Sequence, residues 1–290
     1  MSFFASIDGI IAPAAEAQIS ILDNGFTFGD AVYETLRTYG GRAFAVDRHL
    51  RRLRASAARI GVAIPVPDAE LEARLEALLA RAGNAESFIR WIVSRGVGDI
   101  SYHFERVKGP TVAMVVKPFE AFPDGFYTEG IPVSLVSIRR NHPDALDPAI
   151  KSCNLLNNIL ATREAQSKGG FEALLLNQAG ELAEGAGSNV FVVKDGEALT
   201  PPLSAGILAG ITRELLFELA APAGVRMREK SLMAADLFDA DEAFVTSSLK
   251  ELGPIRSVNG RAIRTCPGPV TRTLLAAYRR YANSQALGRG

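Results

Sequence analysis

Strand-like segments dominate this chain, and single helices seldom separate them in the way that a parallel sheet requires. Runs rich in β-branched and aromatic residues occur in both halves of the 290-residue sequence, with helical patterns between only some of them. Because few strand–helix–strand repeats are visible, antiparallel or mixed sheets are favoured. The sequence therefore predicts an α+β fold.

The spacing of apolar residues predicts the individual elements. Asp8-Gly9 is predicted to form a type I′ hairpin turn, residues 23–25 form a further turn, and Asp47 is the expected N-cap of the first helix. The predicted strands comprise residues 3–7, 10–12, 32–39, 87–95, 111–117, 131–138, 173–177, 189–194 and 242–246. The predicted helices comprise residues 47–60, 67–81, 155–167, 211–220 and 269–281.

A stretch that contains two prolines and a glycine predicts a domain boundary. Residues 118–125 read Pro-Phe-Glu-Ala-Phe-Pro-Asp-Gly and directly follow a predicted strand. We expect a smaller N-terminal α/β domain over residues 1–117 and a larger C-terminal mixed-sheet domain over residues 128–290. Residues 118–127 would form the interdomain linker.

The charges of the chain balance, which argues against two classes of partner. Lys and Arg total 32, as do Asp and Glu, so no net field would draw the protein to nucleic acid or to an anionic membrane. The two cysteines predict neither a disulfide framework nor a metal site. The first residues lack a basic signal-peptide region, and no apolar run approaches the ~20 residues of a membrane span. We expect a cytoplasmic protein.

One lysine occurs in a context that suggests chemistry rather than solubility. Lys151 lies among apolar and small polar residues at the predicted start of a helix. Removal from water favours the neutral form of an amine, which can attack a carbonyl carbon. The expected carbonyl compound is pyridoxal phosphate. Glu184 is then a candidate partner for the pyridine nitrogen, which would keep the ring an electron acceptor.

The segments around these two residues resemble the fold-type IV pyridoxal-phosphate enzymes. They read Lys-Ser-Cys-Asn-Leu-Leu-Asn-Asn from residue 151 and Glu-Gly-Ala-Gly-Ser-Asn from residue 184, and the similarity runs from residue 19 to about residue 254. The family holds branched-chain, D-amino acid and (R)-amine aminotransferases and aminodeoxychorismate lyases. The resemblance implies a two-domain, D-amino acid aminotransferase-like fold, a C-terminal domain that binds the cofactor, and a homodimer.

The resemblance also implies roles for individual residues. Lys151 would form the Schiff base and shuttle the substrate proton, and Glu184 would pair with the pyridine nitrogen. Tyr33 matches an aromatic residue near the cofactor, and we count these three residues as catalytic. The residues implied in binding the cofactor phosphate are Arg52, Leu208, Ile211, Thr212, Ser247 and Ser248. Each alone would pass as an ordinary structural residue, but one ligand accounts for the whole set.

The substrate-binding residues leave alternatives open. The implied set is Tyr33, Thr35, Arg37, Arg90 and Arg95. D-amino acid aminotransferases of the well-known type carry an Arg-x-His pair that binds the substrate carboxylate, but the matching positions here are Ile100 and Tyr102. Any of the three arginines in the set could bind that carboxylate instead.

Three functions follow from these residues. The first is an aminotransferase acting between an amino acid and a 2-oxo acid, with branched-chain or other aliphatic L-amino acids ahead of D-amino acids. The alternative is a pyruvate-releasing 4-amino-4-deoxychorismate lyase, because such lyases often carry threonine at the position of Thr35. The third is a non-catalytic protein of the same fold, and the presence of Lys151, Glu184 and Arg52 argues against it.

Overall fold

A computed structural model of the protein describes residues 3–286. These residues form two compact units, each built around a sheet and helices, so the fold is α+β. The first unit contains the described residues up to Glu120, the segment Ile150–Asn154 and the described residues from Ala282 onward. The second unit contains Ala121–Ala149 and Leu155–Tyr281.

The first unit is a six-stranded sheet with helices. Its strands are β1 Phe4–Ile7, β2 Ile10–Pro13, β3 Ala31–Tyr39, β4 Arg42–Ala43, β5 Ser87–Ser94 and β6 Thr111–Pro118. Its helices are α1 Asn24–Phe28, α2 Val46–Arg59 and α3 Asp68–Ala82, with a 3₁₀ turn at Phe104–Arg106. The strands pair antiparallel in the order β2-β1-β6-β5-β3-β4.

Alternation along β3 gives this sheet two different faces. Val32 and Leu36 are fully buried in a core that also contains the apolar residues of α2 and α3. Tyr33, Thr35 and Arg37 are only half-buried. Because successive side chains of a strand point to opposite faces, these three residues lie on the face that the helices do not cover.

Helix α3 illustrates how the helices that pack on this sheet are stabilised. Leu71, Leu75 and Leu78 recur at helical spacing and are fully buried. Each contributes about 1.5–3 kcal/mol by leaving water. The negative charge of Asp68 in the first turn interacts favourably with the positive end of the helix dipole. Gly83 ends the helix in the left-handed region at a φ of 62°, where a side chain would cause strain.

The second unit is built on a larger, mixed sheet. Its strands are β7 Ile131–Arg139, β8 Glu172–Leu176, β9 Leu182–Gly185, β10 Asn189–Lys194, β11 Glu197–Thr200, β12 Arg226–Glu229, β13 Glu242–Ser247, β14 Glu251–Val258 and β15 Arg261–Ala262. The helices are α4 Pro143–Leu146, α5 Leu156–Ser167, α6 Ile211–Ala220, α7 Ala234–Phe238 and α8 Pro269–Ala286, with a 3₁₀ turn at Leu203–Ala205. The main path is β12-β11-β10-β13-β14-β7-β8-β9.

This path contains both parallel and antiparallel pairs. The pairs β11–β12, β7–β14 and β7–β8 are parallel, and the others are antiparallel. Val190, Val245 and Ile255 are fully buried in its core. Phe191 and Phe244 stack with their ring centroids 4.8 Å apart. The central strands are therefore apolar on both faces, which explains why their sequences read as continuous hydrophobic runs.

The expected N-cap of the first long helix was wrong. Ala45, in the left-handed region, is the N-cap of α2, and Asp47 lies inside its first turn. The expected turn at residues 23–25 is the beginning of the short helix α1, because the Asp23 side chain accepts a hydrogen bond from the Gly25 N–H group. The hairpin is confirmed: Ile7 pairs with Ile10, and both turn residues between them have positive φ.

Lys151 does not lie at the start of a helix, contrary to expectation. It occupies an irregular segment, and α5 begins only at Leu156. The segment pairs with β3 instead, and this tertiary pairing outweighs the local helical pattern. None of the helices within residues 3–286 is long and apolar enough to cross a membrane.

Candidate active site

The backbone of Lys151 is fixed against the beginning of β3. Its carbonyl oxygen accepts a hydrogen bond from the Tyr33 N–H group at 2.9 Å, and its own N–H group donates to the Ser56 hydroxyl of α2 at 3.2 Å. Ser152 forms an antiparallel bridge with Val32. The half-buried lysine side chain therefore extends from a backbone that cannot shift without breaking these bonds.

The Tyr33 ring is shared by the Lys151 amine and an arginine. Nζ of Lys151 lies 4.4 Å from the ring centroid, and Cζ of Arg90 lies 3.6 Å from it. Arg90 also donates from Nη1 to Oγ1 of Thr35 at 3.0 Å. Thr35 and Arg90 are directly opposite each other on β3 and β5, so all these groups share the half-buried face of the sheet.

Arg90 differs from Arg95 in what it binds. Within residues 3–286, Arg90 makes no ion pair with a carboxylate. Arg95 pairs with Asp30, and its Nη2 also donates to the Ile60 carbonyl oxygen at 2.6 Å. Arg95 therefore ties the end of α2 to the start of β3 and is not brought to the face that carries Tyr33.

Arg37 lies on the same face of the sheet as Tyr33, but its guanidinium group contacts two aromatic rings. Its Cζ lies 3.8 Å from the centroid of Phe119 and 4.5 Å from that of Tyr39. Nε donates to the Thr38 carbonyl oxygen at 3.3 Å. Of the three candidate arginines, Arg90 is therefore the one whose geometry best suits an anionic substrate group.

The buried face of β3 carries a second charged group. Glu34 accepts hydrogen bonds from Nε and Nη2 of Arg52, each at 2.7 Å, and its Oε2 lies 2.7 Å from Nδ1 of His49. Burial acts to raise the pKa of Glu34, but Arg52 and His49 outweigh it and hold that pKa well below its ordinary range. Burial lowers the pKa of His49, although Glu34 acts in the opposite direction. The bidentate pair fixes the orientation of the Arg52 guanidinium.

In the second unit, Glu184 is a buried carboxylate with several donors. It lies at the end of β9 and is 4% exposed. Oε1 accepts a hydrogen bond from Nε of Arg140 at 2.7 Å. Oε2 accepts from the Leu208 N–H group at 3.0 Å and from Nδ2 of Asn189 at 3.4 Å. These donors stabilise the ionised form, which is the form that can pair with a protonated pyridine nitrogen.

Asn189 connects this carboxylate to the turn that precedes α6. Its Nδ2 also donates to the Leu208 carbonyl oxygen at 2.9 Å. A Cβ atom on Gly210 would lie 1.9 Å from Oδ1 of Asn189, so only glycine permits this close approach. The carboxylate and the start of α6 are therefore held at a fixed spacing.

The start of α6 has the chemistry of a phosphate site. Gly210 at the N-cap has no side chain, so the N–H groups of Ile211 and Thr212 receive no side-chain cap. The hydroxyl groups of Thr212 and of Thr246, at the end of β13, are buried and have no hydrogen-bond partner among residues 3–286. Such orphaned hydroxyls are costly, and phosphate oxygens would accept from them. These residues fit the phosphate of pyridoxal phosphate.

The family model for class IV amino-transferases matches residues 31–258. The chain belongs to the class IV aminotransferases. A transaminase is therefore the enzyme class of this protein, and the third possibility, a non-catalytic protein, loses its support. The relatives named below are also aminotransferases, so they give the lyase alternative no support.

Relatives of this aminotransferase match it over nearly their whole length. A putative branched-chain-amino-acid aminotransferase of Methanocaldococcus jannaschii is 36% identical over 276 residues, which cover 94% of each chain. The D-alanine aminotransferase of Bacillus licheniformis is 33% identical over 93% of this chain and 94% of its own. The crystal structure of a branched-chain aminotransferase from Thermoproteus uzoniensis superposes with a TM-score of 0.90 at 31% identity, covering 99% and 96% of the two chains.

Most of the residues expected from the sequence lie in one of two groups within this aminotransferase. In the first unit, Lys151 and the expected substrate residues other than Arg95 are on or beside one face of the sheet. Arg52 lies on α2, four residues before Ser56, which binds the Lys151 backbone. The second unit contains the expected residues Glu184, Leu208, Ile211, Thr212, Ser247 and Ser248.

Sequence reasoning missed the residues that hold the expected ones in place. Glu34 orients Arg52, Arg140 pairs with Glu184, and Asn189 ties Glu184 to the turn before α6. Asn189 had a visible signal, because it ends the same glycine-rich motif that begins with the glutamate. Arg140 had none, since nothing local indicates that it would be buried.

Proposed function

We propose that this aminotransferase binds pyridoxal phosphate through Lys151 and moves an amino group between an amino acid and a 2-oxo acid. Branched-chain or other aliphatic L-amino acids are the proposed donors, ahead of D-amino acids. The observation that carries the proposal is the placement of the Lys151 amine and Arg90 around the Tyr33 ring. The structure of a Thermobaculum terrenum branched-chain aminotransferase in its pyridoxal-phosphate form, with a TM-score of 0.85 and 28% identity, supports the cofactor.

The names of the relatives support the order of donors. The Methanocaldococcus and Thermoproteus proteins are called branched-chain aminotransferases, whereas the Bacillus protein is called a D-alanine aminotransferase. The absence of the Arg-x-His pair at Ile100 and Tyr102 argues against the D-specific mode. The second candidate is an aminotransferase that is selective for D-amino acids and binds the substrate carboxylate with Arg90.

The chain's own residues would divide the work as follows. When bound, pyridoxal phosphate supplies an aldehyde that forms a Schiff base with amines and a ring that accepts electrons from the substrate Cα. Lys151 supplies the amine that would hold the cofactor. Once the amine of the substrate displaces it, the freed Nζ would take the proton from Cα and deliver it to C4′, the former aldehyde carbon. Tyr33 limits where Nζ can lie. Glu184, kept ionised by Arg140, would hold a proton on the pyridine nitrogen.

The phosphate would be held by residues that attract an anion. The N–H groups at the start of α6 and the hydroxyl groups of Thr212 and Thr246 are suitable donors. Ser247 and Ser248 belong to the proposed set because they follow Thr246 at the end of β13. Arg52 adds a permanent positive charge, and Glu34 fixes the orientation of its guanidinium group.

An absorbance experiment tests the activity. The purified, cofactor-loaded protein receives L-leucine or D-alanine without an acceptor. Loss of the visible cofactor band and growth of the pyridoxamine band would establish transamination, and the faster donor would set the stereochemical preference. A band that stays unchanged with both donors would contradict the proposal.

Substitution of Lys151 tests the covalent assignment. Lys151→Ala should lose the absorbance of the lysine-bound cofactor, because no other amine is assigned to this role. Lys230→Ala, at a half-exposed ion pair of the second unit, is the matched control and should keep that absorbance. Retention of the band in Lys151→Ala would disprove the assignment. Glu184→Gln should keep the cofactor but lose most activity, since a neutral amide does not hold a proton on the ring nitrogen.

We also propose a homodimer located in the cytoplasm. Large apolar side chains are exposed in the first unit, among them Ile21, Phe26 and Tyr102, and in the second unit at Leu156 and Ile159 of α5. Exposed apolar groups of this size commonly mark protein interfaces. Sedimentation analysis should give twice the chain mass, and Phe26→Glu should shift the distribution toward the monomer. A wild-type protein that sediments as a monomer at micromolar concentration would contradict the dimer.

A further inference from the structure

A buried ion pair in the second unit lies beside both of the turns that would contact the cofactor. Nζ of Lys250 lies 2.8 Å from Oε2 of Glu172. The Glu172 side chain is 6% exposed and that of Lys250 17%. Glu172 begins β8, and Lys250 lies in the turn between β13 and β14. Pairs buried this deeply cost desolvation energy, so their retention calls for a structural reason.

Glu172 binds the turn that follows Glu184. Its Oε1 accepts a hydrogen bond from the Gly187 N–H group at 3.3 Å, and its Oε2 accepts from the Ser188 hydroxyl at 3.2 Å. The position of a Cβ atom on Gly187 would lie 3.7 Å from Nζ of Lys250, so the ammonium group packs against this turn. The ion pair is therefore in direct contact with the segment that carries Glu184 into β10.

Lys250 belongs to the turn that follows Thr246. Its N–H group donates to Oγ of Ser247 at 3.0 Å, and its carbonyl oxygen accepts from the Tyr127 hydroxyl at 3.3 Å. The next residue, Glu251, has a positive φ of 55°, a conformation that residues with a side chain adopt under strain. Such a conformation persists only where surrounding contacts enforce it, and Lys250 supplies contacts on both its backbone and its side chain.

One side chain pair thus joins two turns that are distant in sequence. Glu172 holds the turn at Gly187 and Ser188, and Lys250 holds the turn at Ser247. Neither side chain has a further partner within residues 3–286: the Glu172 carboxylate meets Lys250, Gly187 and Ser188, and the Lys250 ammonium group meets Glu172. Removal of the ammonium group would leave the Glu172 charge buried and would release one turn from the other.

We propose that the Lys250–Glu172 pair is a positioning element. It sets the spacing between the turn that follows Glu184, residues 185–188, and the turn that follows Thr246, residues 247–250, and thereby sets the affinity for pyridoxal phosphate. The inference rests on the proposed function, which assigns Glu184 to the ring nitrogen and Ser247 to the phosphate. A ligand that is bound at both ends binds tightly only when the two binding sites are held at the correct distance before the ligand binds. Neither Lys250 nor Glu172 touches the reacting atoms in this proposal.

Cofactor binding and amide exchange test the inference. Apoprotein carrying Lys250→Met keeps the aliphatic stem but loses the charge. Its dissociation constant for pyridoxal phosphate, measured by absorbance titration, should rise roughly 10-fold, the equivalent of about 1.4 kcal/mol. Without cofactor, hydrogen exchange should increase at residues 185–188 and 247–250. Lys250→Arg should restore most of the affinity, because it keeps the charge. Lys230→Met, which removes a half-exposed ion pair of the same unit, is the matched control and should leave both readings unchanged.

The outcomes separate this inference from the proposed function. Wild-type protein that fails to bind pyridoxal phosphate would refute the function itself. Wild-type binding together with a Lys250→Met constant within twofold of wild type would overturn only the inference. If Lys250→Met does not fold, the double variant Glu172→Gln/Lys250→Met removes both charges and retains an acceptor for Gly187. That variant should fold and bind the cofactor more weakly than wild type, and wild-type affinity there would also overturn the inference.

Discussion

Replacement of Glu184 by glutamine should destabilise the protein even when no cofactor is bound. Glutamine has the same shape, but its amide offers one oxygen and one NH₂ group. Oε1 of Glu184 faces a donor of Arg140, and Oε2 faces donors of Leu208 and Asn189. In either orientation of the amide, therefore, an NH₂ group points at an N–H donor.

The size of the effect follows from the burial of the pair. The side chains of Arg140 and Glu184 are 10% and 6% exposed. Breaking a buried ion pair by neutralising one partner costs about 3–5 kcal/mol, because the other charge stays buried. We expect a loss of about 3 kcal/mol, since Arg140 keeps a hydrogen bond to Asn157 at 3.0 Å. For a folding unit of this size, that loss lowers the unfolding temperature by roughly 6–12 °C.

Thermal unfolding of the apoprotein at neutral pH measures this loss directly. Glu197→Gln is the matched control, because Glu197 pairs with an Arg228 side chain that is 54% exposed. Exposed pairs contribute about 0–1 kcal/mol, so the control should shift by at most a few degrees. Adding Arg140→Met to Glu184→Gln should recover part of the loss by removing the unpaired charge. A Glu184→Gln apoprotein that unfolds at the same temperature as the wild-type apoprotein would refute the reasoning.

Three further substitutions probe other parts of the molecule. Arg90→Met should raise the KM for the 2-oxo acid roughly 10- to 100-fold, because a charge-assisted hydrogen bond contributes about 1.5–3 kcal/mol; an unchanged KM would exclude Arg90 as the carboxylate ligand. Glu34 has a lowered pKa, so its stabilising effect is complete above about pH 4.5 and is lost as the pH falls further. The stability difference between wild type and Glu34→Gln in urea should accordingly stay constant from pH 7 to about pH 5 and shrink from pH 5 to pH 3, and a difference that is unchanged at pH 3 would contradict this assignment. Thr271→Val should cost about 1–2 kcal/mol, because the hydroxyl donates at 2.7 Å to the buried carboxylate of Glu242, and calorimetry would detect it.

The elements that the sequence predicted correctly are those whose signal is local. Helix α6 begins at Ile211 and ends at Ala220 as expected, and β10 has the expected bounds. The strands β9, β11, β12 and β14 were not identified, because their sequences are short or contain glutamate, proline and glycine that weaken the strand pattern. Those strands form through pairing with neighbours that are distant in sequence, and no local pattern contains that information.

The candidate site divides in the same way. Lys151, Glu184 and Tyr33 could be named because motifs surround them. The helix start expected at Lys151 was wrong, because its segment pairs with β3 instead. The difference between the partners of Arg90 and Arg95 was also hidden, since Arg95 meets an aspartate only when the chain folds.

The pairing of the lysine segment with β3 has a consequence for how the chain is made. Ala31 and Tyr33 bond to Cys153 and Lys151, residues that leave the ribosome long after the rest of the first sheet. Until then, this edge of β3 offers its backbone groups to any other strand. Nascent chains whose exposed part ends between residues 120 and 150 should therefore associate or engage chaperones, whereas chains whose exposed part extends past residue 154 should not. The order of synthesis thus makes Lys151 one of the last residues of the first unit to be put in place.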